Sequence, residues 1–378
     1  MSKLLEQVNN TKTAELGDIC RYIFDRIDVS ELSVDNYIST ENMVSGRGGI
    51  VQSSNLPTVG KVTRFEIGDV LTSNIRPYFK KIWNATKSGG CSNDVLVFRS
   101  NDKNKFDQQF LYYILSNDRF FAYSMMTSQG TKMPRGDKVG IMKYKIPVLD
   151  LPTQKKIAEI LSAYDSKIEN NNKIIKNLET VAQTIFNEWF VSFRFPGYEK
   201  VKIIESEMGE IPEGWEVKSV LDVIKRIPVG KKFENKTASP VGKVPILDQG
   251  ASGFIGYHNE EPGVEASIDN PIVVFTNHTC YYRLLTEPFS CIQNVLPYIG
   301  KNGYKTLFVY FLTKEKIKMS EYKGHWPEFE QQVFVIPLVE LANSFVSKVK
   351  SFVSEMVVLE KENVKLKESR DQLLAKLI

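Results

Sequence analysis

Two long stretches of the chain repeat apolar residues at alternating steps of four and three. The first series is Ile157, Leu161, Tyr164, Ile168, Asn171, Ile175, Leu178, Ala182, Ile185 and Trp189. The second is Phe345, Val349, Phe352, Met356, Leu359, Asn363, Leu366, Arg370, Leu373 and Leu377. An average step of about 3.5 marks a coiled-coil seam rather than an ordinary amphipathic face. Set antiparallel, the fifth layer of one helix meets the sixth of the other, which puts Asn171 opposite Asn363. The same alignment matches Trp189 with Phe345, small Ala182 with large Phe352, and Ile168 with Leu366. A lone buried Asn costs stability, whereas a facing pair satisfies itself and fixes one register.

Outside these stretches the pattern changes to short β-branched and aromatic runs broken by Gly, Pro, Asn and Asp. Val95–Phe98, Lys143–Val148, Ile272–Phe275 and Val333–Ile336 predict strands, and helices are expected near Phe110–Leu115 and Leu307–Leu312. The runs also repeat in order. Cys91-Ser-Asn-Asp-Val-Leu-Val-Phe98 matches Cys291-Ile-Gln-Asn-Val-Leu-Pro-Tyr298, and Phe110-Leu-Tyr-Tyr-Ile114 matches Phe308-Val-Tyr-Phe-Leu312. Gly130 in Ser-Gln-Gly-Thr-Lys then matches Gly324 in Tyr-Lys-Gly-His-Trp, and Ile146-Pro-Val-Leu matches Ile336-Pro-Leu-Val. The offset falls from 200 (Cys91 to Cys291) to 188 (Ile157 to Phe345), as in diverged copies with loop insertions. Two copies are too few for a solenoid, and a pseudo-twofold arrangement is expected. Pro152 is tolerated in the first helical turn, Pro196-Gly197 is expected to stop that helix, and 197–214 reads as a linker. The expected fold class is α+β, with two repeated globular domains (1–151 and 196–337) separated by two long helices (152–195 and 338–378) forming an antiparallel coiled coil.

The 378 residues suffice for two or three domains, each with its own core. No apolar run approaches the roughly 20 residues of a membrane span, and Met1–Asn10 lacks a signal peptide's apolar core. Cys20, Cys91, Cys280 and Cys291 lie far apart with no CxxC pair, which points to reduced thiols in a cytoplasmic protein. The net charge is only +4, but it is unevenly placed. Lys61 to Lys145 carries 15 basic against 7 acidic side chains, and Lys225 to Lys243 carries six against Glu234 alone. Cations concentrated on globular units suit a polyanion such as nucleic acid, although any one cluster also serves solubility.

Catalytic machinery is not evident. The chain has no GxxxxGK[ST], GxSxG or HExxH. Gly46-Arg-Gly-Gly49 lacks a phosphate loop's spacing and reads as an ordinary loop. His258, His278 and His325 form no HxH, HxxH or HxxxH pair, and His278 with Cys280 is too thin a basis for zinc. DNA contact instead requires cations for phosphates and forked or amide side chains for base edges. In the first half, Arg47, Arg76, Lys80, Lys81, Thr131, Lys132 and Arg135 meet that requirement. In the second, Lys231, Lys232, Asn277, His278, Lys323 and His325 do, with His325 taken as a loop residue that is base-contacting or simply exposed.

Three segments carry a family resemblance. Asp150-Leu-Pro-Thr-Gln-Lys-Lys-Ile-Ala-Glu-Ile-Leu, then Asn187-Glu-Trp-Phe-Val-Ser-Phe-Arg-Phe-Pro-Gly, then Met208-Gly-Glu-Ile-Pro-Glu-Gly-Trp215 resemble the specificity subunits of type I restriction–modification enzymes. Ser73-Asn-Ile-Arg-Pro77 followed by Lys80-Lys81 and Cys91 adds to the likeness, whereas the second copy carries Thr276-Asn-His-Thr-Cys instead. The resemblance implies a non-catalytic subunit whose two target-recognition domains each read half of a split DNA site. It further implies that the helices set the unread gap and dock two copies of an adenine-methylating subunit, with a DNA-translocating restriction subunit joining in some assemblies. S-adenosylmethionine, ATP and Mg²⁺ would belong to those partners, with no cofactor in this chain. The alternative is a coiled-coil adaptor that binds no nucleic acid.

Overall fold

The computed structural model describes residues 11–58, 60–250, 253–321 and 323–378, and its chain divides into two compact units. One contains the residues up to Asn170 together with Asn363–Ile378, and the other contains Asn171–Glu362. Met1–Asn10, scanned above for a signal peptide, and Tyr322 of the second glycine motif lie outside the described residues.

In the first unit an antiparallel sheet runs in the order Cys20–Tyr22, Val95–Ser100, Val70–Ser73, Ile82–Asn84. A second sheet orders Arg26–Asp28, Lys61–Phe65, Gly89–Cys91 and Tyr37–Ile38, the last pairing parallel. Only glycine fits at position 89, because a Cβ there would lie 2.0 Å from the Asn36 carbonyl. Thr13–Glu15 pairs with Lys145–Pro147 and brings the ends of the unit together. The helices Gln108–Ser116 and Asp118–Met126 cover the first sheet; the second of them was not expected from sequence. Their starts are fixed by Asp107, which accepts from the Phe110 amide at 2.8 Å, and by Asn117, which accepts from Arg119 at 2.9 Å. Phe98, Phe110, Leu111 and Ile114 form the core with Ile157 and Leu161 from one long helix and Leu374 and Leu377 from the other.

The second unit repeats this plan. Its antiparallel sheet runs Ile224–Arg226, Val295–Gly300, Ile272–Thr276, Tyr282–Leu285. Val244–Leu247 pairs with Phe254–His258 and, in parallel, with Ser290–Cys291. Glu216–Ser219 closes on Val333–Ile336, and Thr306–Thr313 is the covering helix. The copies therefore share the order of the first sheet, one parallel pairing and the closing ladder, down to the strands the alternation predicted, whereas the second sheet has four strands in the first unit and three in the second.

The long helices span Leu151–Phe190 and Val339–Leu377. In the first unit Asp165 pairs with Arg370 at 2.6 Å. In the second, Trp189 packs on Phe345 with ring centroids 6.2 Å apart, so the helices run antiparallel there as the seam requires. Every seam position in both series is buried or half-buried. The first helix stops at Phe190, short of Pro196-Gly197. Phe193 turns the chain with φ 58°, and Arg194 forks onto Glu188 with two bonds of 2.7 Å. Nor is 197–214 a bare linker, because Ile203–Ser206 and Gly209–Pro212 form a hairpin.

The quoted motifs thus have structural explanations. Asp150 accepts from the Thr153 amide and hydroxyl at 2.8 and 3.0 Å, capping the helix start. Buried Gln154 donates to the Leu149 and Lys105 carbonyls and accepts from the Asp107 amide, stitching three segments together. Trp215 stacks on Phe195 and packs against Phe190 and Phe193, seating the second unit's entry on the helix end.

Candidate nucleic-acid interface

The same backbone lacing recurs in both units. The Asn74 amide donates to the Asp94 carbonyl at 2.8 Å, and the Asn74 carbonyl accepts from Gly136 at 3.2 Å. The Asn277 amide likewise donates to the Asn294 carbonyl at 2.9 Å, and its carbonyl accepts from His325 at 2.8 Å. Each Asn follows a buried hydroxyl residue, Ser73 or Thr276, at the end of a core strand. Three loops are thereby drawn to one edge of each unit: the strand exit, the turn after Cys91 or Cys291, and the glycine loop before the last short helix. The divergent Ser-Asn-Ile-Arg-Pro and Thr-Asn-His-Thr-Cys segments thus share one structural role, carried by Asn.

In the first unit Arg76 and Lys80 adopt left-handed conformations, φ 51° and 50°, on either side of the short helix Pro77–Phe79. The Arg76 amide donates to the Pro134 carbonyl, and the Gly46 and Arg47 amides donate to the Phe79 and Lys80 carbonyls. All the sequence candidates of this unit therefore lie on a connected set of loops. Their availability differs. Thr131 and Lys132 are exposed beside Gly130, and Lys132 has no ion pair among the described residues. Arg135 is exposed and lies 3.1 Å from Asp94. Lys81 donates to the Thr40 carbonyl at 2.6 Å, and its partial burial lowers its pKa. Arg76 keeps a buried Nε without a partner in the described structure. Arg47 departs from the expectation of an open contact. Its side chain is largely buried, donates to the Ser116 carbonyl at 2.6 Å and pairs with Asp118, which also pairs with Lys80 at 2.9 Å.

In the second unit Lys232 is exposed without an ion pair among the described residues, while Lys231 pairs with Glu260 at 2.5 Å. Lys323 sits between Glu321 and Glu328, each at 2.8 Å, and their hydrogen bonds raise its pKa. The His278 amide donates to Gln249 at 3.0 Å. His325 corrects the expectation of an exposed loop residue. Its ring is fully buried, with Nδ1 2.9 Å from Glu328 and Nε2 3.1 Å from the Glu321 carbonyl, so it closes the loop on itself.

A cleft opens beside this lacing at the same place in both copies. The second unit's cleft encloses about 450 Å³ and is lined by Arg226, Lys232, Asn277, Gln293, Asn294 and Trp326, with the Arg226 guanidinium 5.1 Å above the Trp326 ring. The first unit's cleft encloses about 140 Å³ and is lined by Tyr22, Phe24, Arg26, Asn93 and Lys138, with Arg26 donating to Asn93 at 3.1 Å. Of these residues sequence reasoning singled out only Lys232 and Asn277, and it missed the rest. The signal was present, because Asn93 and Gln293 stand two places after the matched Cys91 and Cys291. Amide and guanidinium groups around a polar cleft are donors and acceptors suited to base edges.

Among the described residues no three His, Cys, Asp or Glu side chains converge to hold a metal ion. The four cysteines are buried and unbridged, and burial pushes the Cys20 and Cys91 thiols up to about 12, far from nucleophilic. No described helix is long and apolar enough to cross a membrane.

Residues 9–180 match the family model described as the type I restriction modification DNA specificity domain. That match covers the first unit's globular part and most of the first long helix, and the second unit repeats the order of the first unit's antiparallel four-stranded sheet. The first unit thus carries a type I restriction modification DNA specificity domain, and the chain is similar to type I specificity subunits over most of its length. Among the specificity subunits it resembles is that of the MjaIX enzyme of Methanocaldococcus jannaschii, 26% identical over 301 residues, covering 71% of this chain and 68% of that protein. The HindI specificity subunit of Haemophilus influenzae is 29% identical over 195 residues, 49% of this chain and 42% of the relative, so that match spans less than half of its length. The fold is similar to a crystal structure of the type-I restriction-modification system S subunit from M. genitalium, with TM-score 0.55 and 15% identity over 98% and 97% of the two chains.

Proposed function

We propose that this chain is the DNA-reading subunit of a type I restriction–modification complex and that each unit reads one short half of a split duplex site. Specificity subunits recognise DNA without catalysing its modification or cleavage, and they work in a complex with the other restriction–modification subunits. One observation carries the assignment of a half-site to each unit. Both copies keep the lacing through Asn74 and Asn277 but line the adjoining clefts differently, as two readers of different sequences require.

In this proposal the recognition domains are 1–151 and 196–337, and the helices 152–195 and 338–378 set the unread gap. Ten seam layers span 32 residue steps from Ile157 to Trp189, a helical length of about 48 Å against about 34–36 Å for one DNA turn. The half-sites would then be centred about one turn or slightly more apart. Two copies of an adenine-methylating subunit would dock on the helices, with a translocating restriction subunit joining in some assemblies. S-adenosylmethionine, ATP and Mg²⁺ would be bound by those partners. Lys132, Lys232 and Arg135 are favoured for direct contact, with Arg76, Lys80, Lys81, Thr131, Lys231, Asn277, His278 and Lys323 around them. Arg47 and His325 act behind the surface.

The test is selection from a random duplex library by the full chain co-expressed with its methylating subunit. Two short enriched sequences at a fixed spacing are expected. Enrichment of a continuous site would end the split reading, and no binding to any duplex even at low salt would favour the adaptor alternative.

A further inference from the structure

The seam carries one charge among its layers, Arg370, and the charge has a long reach. Its guanidinium lies 2.6 Å from Asp165, which accepts from the Tyr113 hydroxyl at 2.7 Å. It also forks onto the neighbouring Asp371 at 2.9 and 3.0 Å. Asp371 lies 3.7 Å from Arg47, Arg47 pairs with Asp118, and Asp118 pairs with Lys80 at 2.9 Å. A chain of alternating charges therefore runs from a nearly buried position in the helix pair to the loops 45–49 and 76–81. Arg47 is its hinge. Its backbone amide also donates to the Lys80 carbonyl at 2.9 Å, so it ties the two loops to each other as well as to the helix.

The second copy shows that the fold itself does not need these charges. By the offsets of the repeat, 198 at the covering helix and 188 along the long helices, Tyr113 corresponds to Phe311, Asp165 to Val353 and Arg370 to Ala182. All three counterparts belong to the second unit's apolar core. A buried ion pair is commonly no more stabilising than the apolar packing that replaces it. What the charged set adds in the first unit is a fixed geometry at the loops rather than a better core.

We propose that Arg370 and Asp371, acting through Arg47, are positioning residues that hold the 45–49 and 76–81 loops for the first unit's DNA contact. The last turns of the C-terminal helix then form part of the specificity apparatus of a recognition domain that lies far from them in sequence. This inference rests on the DNA-reading function proposed above.

The test repeats the library selection with two variants of the full chain and its co-expressed methylating subunit. Asp371→Asn breaks the link to Arg47 with little change in shape. The triple change Tyr113→Phe, Asp165→Val, Arg370→Ala installs the apolar set that the second unit already uses, and its folding is followed by thermal melting. In each variant the discrimination at the first half-site should fall about tenfold, the worth of one base contact, while the second half-site keeps its sequence. Asp371→Glu should restore most of the loss. Unchanged discrimination at the first half-site in Asp371→Asn, or equal loss at both half-sites, overturns the positioning role. If the unmodified chain enriches no sequence, the DNA-reading function fails and this inference fails with it. If the triple variant does not fold, Asp371→Asn alone decides.

Discussion

Asn171 donates its side-chain amide to the Glu362 carboxylate at 2.8 Å, one residue before the Asn363 that the seam pattern sets opposite it. Both asparagines are buried, each on the seam face of its own helix. Replacing both Asn171 and Asn363 with Leu should leave the chain folded and equally or more stable in thermal or denaturant melts. Replacing either one alone should cost about 1–3 kcal/mol more than replacing both, because the remaining amide loses its setting in a dry seam. A double-mutant cycle with no coupling would mean that the two layers are independent.

A second expectation separates phosphate from base contacts. Lys132→Ala should weaken binding to all duplexes alike and lower the salt dependence by about one unit of slope. Gln293→Ala should instead relax only the second half-site, by about 1–3 kcal/mol of discrimination. Titrations against matched and mismatched duplexes at several salt concentrations would distinguish these effects. Relaxation of the first half-site by Gln293→Ala would contradict the assignment of one half-site to each unit.

The ring cluster around Phe345 should be the most costly place to open. Phe186, Trp189, Phe190 and Phe311 all pack on this fully buried side chain. Phe345→Ala should lose about 3–5 kcal/mol of stability in denaturant unfolding, whereas the exposed Val358→Ala should change it by less than about 0.5 kcal/mol.

Burial raises the Cys20 and Cys91 thiols from an ordinary value near 9 to about 12. In the unfolded chain these thiols ionise first, so their contribution to stability is fully present below pH 9 and is lost progressively as the pH climbs towards 12. Melts between pH 8 and 11 should show this decline, with a smaller alkaline slope for Cys20→Ala after correction for its lost packing. Alkylating reagents at pH 8 should spare both thiols until the chain unfolds.

Seven residues inserted at matched layers of both long helices should lengthen the spacer and leave each half-sequence intact. Inserting three or four would break the seam. Methylation mapping on genomic DNA reads the result directly, and a spacer unaltered by the matched insertion would end the idea that the helices measure it.

Periodicity made the helices, the repeat and most of the strands legible, because burial of one face leaves a linear trace. The helix Asp118–Met126 left less of one. Its Asn117 cap directly follows another helix, so a single residue separates the two and no turn or glycine announces a second start. The candidate interface was only partly legible. Lysines and arginines announce charge but not their partners, and Arg47 and His325 look like loop-surface residues until Asp118 and Glu328 appear beside them. Arg26, Arg226 and Asn93 were missed because a cleft assembles them from loops far apart in sequence.

The lacing at Asn74 and Asn277 is made between main-chain atoms throughout, so it places few demands on the neighbouring side chains. The residues around each cleft can therefore be exchanged without disturbing the strands beneath. Transplanting Tyr22, Phe24, Arg26, Asn93 and Lys138 onto the corresponding positions of the second unit should produce a chain that enriches one short word at both ends of its site. A receptor for two different words would become a receptor for one word written twice, on an unaltered frame.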